Sequence, residues 1–403
     1  MLTRRVVLAA GIAAALSATI VANAAAEDMP GVTETTIRIG NINPYSGPAS
    51  AYSQIGSTIG AYFEQLNDVG GINGRTIEYI SYDDAYSPPK TLEHARRLVE
   101  SDDVLLIFAS LGTPTNSAIH EYMNTNGVPH LFVAAGASKW GDPQNYPWTM
   151  AWQPVYATEA AIYARYIMEN HPGGRIGVLY QNDDYGRDYL EGLKAGLGDH
   201  AETMIAAALS YETADPTVDS QIINLKASGA DIFVNIATPK FAAQAIRKAS
   251  DIGWQPLHFL NSVSQSVGAV LEPAGLEASR GIISAAYLKD SSDPQWADDA
   301  EMLEWHAFMD AYYAGGDRNS NLTVYGYAVA KALEHVLAAA GDDLSRENVM
   351  RAAAGMQNVR VPMLLPGMTM STSESDYFPL EEMQLMQFNG ERWELFGGII
   401  AGL

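Results

Sequence analysis

Residues 107–116, IFASLGTPTN, and residues 234–243, VNIATPKFAA, are built alike: an apolar strand-like run, a short turn, Thr-Pro, then helical spacing. Proline has a fixed φ and no backbone N–H, which costs nothing at the first position of a helix, and a threonine before it is suited to the N-cap. Each stretch therefore predicts a strand whose carboxyl end opens onto a helix N-terminus, at Thr113 and again at Thr238. One such turn needs no explanation beyond a well-made helix start. Two at matching places suggest a repeated unit, with free N–H groups where open parallel sheets hold their ligands.

The flanking sequence extends this unit in both directions. Residues 36–42, TIRIGNI, alternate with period two, and the next segment puts Ile55, Ile59, Tyr62, Phe63 and Leu66 on one helical face before stopping at Gly70-Gly71. TIEYISY, VLLIFAS and HLFVAAG continue as strands separated by helices, which predicts a parallel sheet covered on both faces. RIGVLYQ, MIAAALS, DIFVNIA and LHFLNSV repeat the pattern. SYDDAYSPPKT and SYETADPTVDS close the second strand of each half, so the fold class reads as α/β with two similar doubly wound parallel-sheet lobes. From Gly281 the chain adds SAAYLKD, two long helical segments, a capped LSRENVMRAA and a hairpin-like Asn389-Gly390, returning to finish both lobes.

A length of 403 residues with 47% apolar content suits two cores. The start reads as a cleaved signal peptide over residues 1–26: basic MLTRR, an apolar run, then small residues before Glu27. Arg4-Arg5 fits both the general and the twin-arginine export routes. No later segment reaches the roughly 20 apolar residues of a membrane span, so a periplasmic location is expected. There is no cysteine, which excludes disulfides, thiolate sites and a lipidated amino-terminal cysteine. The formal charge of −23 becomes −25 once the signal segment with its two arginines is gone, a surface that repels nucleic acid.

Enzyme signatures are missing: no nucleophile elbow, phosphate loop or dinucleotide fingerprint, and His120-Glu121 lacks the second histidine of a zinc helix. No catalytic residue, metal or cofactor is expected. The pairs Asp83-Asp84 and Asp183-Asp184 sit on turns, where adjacent carboxylates point apart and cap backbone rather than work a bond. Tyr185-Gly186, after the second pair, places an aromatic at the mouth of a strand.

The series GNINPYSGPASAYSQIG, GGINGRTIEYISYDDAYSPPKT, NDDYGRDYLEGLKAGL and DPTVDSQIINLKASGADI resembles the periplasmic substrate-binding proteins of branched-chain amino acid type ABC transporters, over essentially the whole mature chain. The resemblance implies a type I periplasmic-binding fold, with 34–153 and 285–383 in one lobe, 154–284 and 384–403 in the other, and a three-stranded hinge between them. It also implies a monomer that closes around a small-molecule ligand and delivers it to an inner-membrane ABC permease with its ATPase. Position by position, it assigns ligand contacts to Tyr52, to Gly112 and Thr113 as carboxylate receivers, and to Ala135, Gly136 and Ser138 in the neighbouring loop. From the second lobe it assigns Tyr185, Thr238 and Val263.

Amino-acid binders of this kind carry an acid where this chain has Val263, and a buried ammonium without its partner costs about 3–5 kcal/mol. An aromatic or branched organic acid therefore suits the site better than an α-amino acid, unless Glu272 or Glu277 reaches it. Relatives of this kind often carry a disulfide near positions that here read Ala85–Tyr86 and Leu111. A transport receptor, a periplasmic sensor on the same fold and a hydrolase are the functions to weigh.

Overall fold

The computed structural model describes residues 29–401, so the signal-peptide reading over 1–26 lies outside the described residues. Among them are twelve strands in two sheets. The first sheet holds β1 (Thr36–Asn43), β2 (Thr76–Asp83), β3 (Leu106–Phe108), β4 (His130–Val133) and β5 (Thr149–Ala151) in the order β2-β1-β3-β4-β5, all parallel. The second holds β6 (Ile176–Gln181), β7 (Ile205–Tyr211), β8 (Ile232–Ile236), β9 (Leu257–Leu260) and β10 (Ile283–Ala286) in the order β7-β6-β8-β9-β10. The order is the same in both, so the two Thr-Pro turns leave topologically equivalent third strands, β3 and β8.

The inner strands are buried on both faces, as helix-covered parallel sheets require. β5 has only three residues, too few to show an alternation, and the sequence reading passed over it. The second sheet gains two antiparallel strands, β11 (Glu382–Phe388) and β12 (Trp393–Ala401). They are joined by a turn in which Asn389 Oδ1 accepts the N–H groups of Glu391 and Arg392, with Gly390 at φ 100°.

Between β10 and β11 the chain crosses back to cover the first sheet. Helix Asn321–Ala340 packs on helix Ser53–Asp68, whose Ile55, Ile59, Tyr62, Phe63 and Leu66 are all buried. Gly326 permits this approach, since a Cβ there would lie 2.8 Å from the Ile55 carbonyl oxygen. The expected cap before helix Arg346–Ala354 is Ser345, whose hydroxyl accepts from Asn348 N–H. The crossover after β5 carries Trp152, fully buried with its ring centroid 5.9 Å from that of Tyr287 in the crossover after β10 and 4.8 Å from that of Tyr325. Two chain crossings and a first-lobe helix thus meet at one aromatic cluster.

Candidate functional site

The carboxyl ends of the two sheets face each other across a cleft. The first lobe lines it with Tyr52, Ile55, Tyr86, Leu111, Gly112 and Thr113, the second with Tyr185, Thr238, Ser262 and Val263. The hinge side adds Gln153, Tyr156, Tyr287, Asn321 and Tyr325. None of the lining residues is of a type that carries a charge at neutral pH, and burial raises the phenols of Tyr52, Tyr86, Tyr185, Tyr287 and Tyr325 further above their ordinary range.

The two Thr-Pro turns differ in detail from the expectation. Gly112, at φ 97°, takes the N-cap position, so Thr113 is the first residue of helix Thr113–Thr125 and not its cap. Glycine is required there: a Cβ would meet the Tyr86 ring at 2.4 Å, and positive φ strains any other residue. The Thr113 and Thr115 N–H groups are then left at the helix start without an intrahelical acceptor. The Thr113 hydroxyl, 1% exposed, makes no well-formed hydrogen bond, although the Tyr156 phenol lies near enough to feel it.

Thr238 does hold the N-cap of helix Pro239–Asp251, but its side chain does not cap it. Its N–H donates to the Tyr211 hydroxyl at 2.9 Å, and its own hydroxyl lies 3.2 Å from Tyr211 Oη and 3.4 Å from Gln181 Oε1. One turn is therefore unsatisfied and the other is internally occupied. Tyr185 Oη, Tyr325 Oη and Asn321 Oδ1 join Thr113 Oγ1 as buried polar atoms of the cleft without a partner. Such groups are costly to leave unpaired in an apolar site and mark where a ligand's polar atoms go.

Tyr52, Gly112, Thr113, Tyr185, Thr238 and Val263 are brought together here, while Ala135, Gly136 and Ser138 are not among the lining residues. Ala135 is core, and Gly136 seats the first crossover: its carbonyl accepts the Tyr156 N–H at 2.8 Å, and a Cβ would meet Pro154 O at 2.6 Å. Ser138 is exposed and donates to the other lobe, its N–H to Asp188 Oδ2 at 3.0 Å and its hydroxyl to Oδ1 at 2.9 Å. Lys139 beside it bridges Ser117 at 2.6 Å and Asp184 at 2.7 Å. With Tyr52 donating to Val263 O at 3.2 Å and Ser266 Oγ donating to Ser320 Oγ at 3.0 Å, the rims are tied together and the cleft is closed.

The Ser138–Asp188 and Lys139–Asp184 contacts are exposed or half-exposed, so each adds little. Asp188→Ala is expected to weaken ligand binding only about two- to fivefold, as faster release that shrinks at high salt. Unchanged release in stopped-flow measurements would count against the latch.

The acidic pairs are turn builders. Asp183 accepts the Tyr185 and Gly186 N–H groups, Asp83 those of Ser46 and Ala85, and Asp84 that of Tyr86. Glu272 and Glu277 are exposed and do not reach the cleft, and Glu277 pairs with Arg280 instead. At the position where relatives often place a disulfide, Ala85 and Tyr86 both have positive φ and Tyr86 turns its ring over Gly112.

A buried acid behind the second-lobe wall is Glu159, on helix Tyr156–Asn170, which sequence reading missed. It accepts the Ser262 N–H at 2.7 Å, the Ser262 hydroxyl at 2.5 Å, and the hydroxyls of Tyr163 and Tyr189 at 2.6 and 2.8 Å. Burial pushes its pKa up, and these donors pull it back. Among the described residues no group of side chains is placed to hold a metal ion, and no helix is long and apolar enough to cross a membrane.

The sequence profile of the periplasmic binding protein family matches residues 36–392. A "Leu/Ile/Val-binding protein homolog 7" of Brucella abortus is 24% identical over 326 residues, covering 75% of this chain and 76% of that protein. A branched chain amino acid ABC transporter protein from Thermus thermophilus, solved with bound valine, superimposes with a TM-score of 0.82 at 15% identity, over 92% of this chain and 98% of that one. A fatty acid ABC transporter substrate-binding protein from Thermomonospora curvata does so with a TM-score of 0.78 at 21% identity, over 93% and 94%. With that profile covering every strand but β12 and all the residues that line the cleft, the chain belongs to the periplasmic binding protein family and is a ligand-binding protein of the leucine-binding type, not an enzyme.

Proposed function

We propose that the mature chain is the exported, monomeric receptor of an ABC importer, closing on a small carboxylate-bearing ligand and delivering it to an inner-membrane permease with its ATPase. The ligand's body is apolar: an aromatic or branched organic acid, or a branched-chain amino acid. One observation carries this reading, the free helix N-terminus at Thr113 with its unpartnered hydroxyl in an otherwise uncharged, tyrosine-rich cleft. A carboxylate there gains the helix dipole, about 0.3–2 kcal/mol, and charge-assisted bonds to hydroxyl and backbone. Valine and fatty acids, named for two structural neighbours, both join a carboxylate to an apolar body.

Thermal-shift screening of the mature protein tests it, against leucine, isoleucine, valine, benzoate-like and cinnamate-like acids, amides and urea. A ligand of the folded state raises the melting temperature according to RT ln(1 + [L]/Kd). Stabilisation by at least one of the acids is expected. Stabilisation by amides or urea alone would overturn the reading.

A further inference from the structure

Two places on the cleft walls differ in hydrogen-bond polarity: the helix start at Thr113 and the serine at position 262. On the first-lobe side the free groups include the Thr113 hydroxyl and the N–H groups at the helix start, which donate. On the second-lobe side Ser262 lines the cleft, but its only hydroxyl proton is directed away, to Glu159 Oε2 at 2.5 Å, and its N–H goes to Oε1 at 2.7 Å. A serine hydroxyl has one proton and two lone pairs, so Ser262 Oγ has only lone pairs left for the cleft. On the hinge side Asn321 Oδ1 is a further acceptor without a partner.

This direction holds with Glu159 ionised, and it also holds with a proton on Oε1. The carboxyl is 1% exposed and no cation pairs with it among the described residues. Tyr163 has one hydroxyl proton and two acceptors in reach, Glu159 Oε1 at 2.6 Å and Leu260 O at 2.9 Å. A proton on Oε1 is donated to the Tyr163 oxygen while Tyr163 donates to Leu260 O. Oε2 continues to accept from Ser262 and from Tyr189.

We infer that the ligand carries an N–H or O–H donor besides its carboxylate, received by Ser262 Oγ, and that Glu159 is the positioning residue which sets this polarity. The class is a hydroxy or amino acid rather than a plain hydrocarbon acid, an inference that rests on the carboxylate reading above. Val263 removes a direct anionic partner for an ammonium, but the neighbouring residue is wired to a carboxylate through one hydroxyl.

Calorimetric titration with two matched sets tests this: isocaproate, leucic acid and leucine, and phenylpropionate, its para-hydroxy derivative, phenyllactate and phenylalanine. In at least one set a donor-bearing acid is expected to bind about tenfold or more tightly than its parent, the cost of facing a buried acceptor with hydrocarbon. Ser262→Ala should reduce that ratio to less than about threefold, and Glu159→Gln, whose amide can donate to Ser262 and free its proton, should reduce it too. The selectivity ratio is the readout, because a merely structural role for Glu159 would lower all affinities together. Parent acids that bind as tightly as every donor-bearing acid would overturn the inference, as would a ratio that persists in Ser262→Ala. Should that variant not fold, the wild-type ratios decide alone. If none of the acids binds in either set, the carboxylate reading falls and this inference with it.

Discussion

Replacing Glu159 with alanine is expected to destabilise the protein by about 3–5 kcal/mol, because several buried donors lose their acceptor at once and each costs roughly 1–3 kcal/mol. The Ser262 N–H, the Ser262 hydroxyl and the Tyr189 hydroxyl have no alternative acceptor among the described residues, whereas Tyr163 keeps Leu260 O. For a lobe of this size each kcal/mol moves the melting temperature by about 2–4 °C, so a drop on the order of 10 °C is expected by calorimetry. A change within about 2 °C would show that the carboxyl contributes little beyond filling space. The variant also frees the Ser262–Val263 segment, and with it the carbonyl that accepts from Tyr52 across the cleft.

Thr113→Val should act in the opposite manner, leaving stability nearly intact while weakening an acid ligand by about 1–3 kcal/mol, or roughly 5- to 150-fold. Valine keeps the shape of threonine, and the hydroxyl it removes has no well-formed hydrogen bond to lose in the unliganded protein. The loss should therefore appear only when the ligand is bound. The equivalent Thr238→Val has a different expected signature: its hydroxyl is shared with Tyr211 and Gln181, so stability falls and affinity changes less. Equal affinity for wild type and Thr113→Val, measured with whichever acid binds, would remove Thr113 from the site.

Local spacing was enough to read most of the architecture. The apolar strands, the helices between them, the Asn389-Gly390 hairpin and the equivalence of the Thr-Pro turns all follow from patterns a few residues long, and the two sheets share one strand order. Strand β5 escaped because three residues carry no periodicity. Gly112 rather than Thr113 at the helix cap was also not legible, because the choice depends on the Tyr86 ring packed against it.

The chemistry of the site was legible only in part. Tyr52, Thr113, Tyr185 and Val263, assigned by the resemblance, line the cleft, whereas Ser138 was assigned with them and belongs to the rim, where its partner Asp188 is 50 residues away. Glu159 was missed because nothing local marks it: it sits on an apolar helix face, 103 residues before the serine it orients.

By itself, the sequence determined that this protein has two α/β lobes with a Thr-Pro helix start at the third strand of each, since strand and helix signals are short-range. Only the tertiary structure decided that Thr113 is free while Thr238 is occupied, and that an acid stands behind Ser262. Hydrogen-bond satisfaction depends on which distant side chains the fold brings within 3 Å or so, and no local pattern records that.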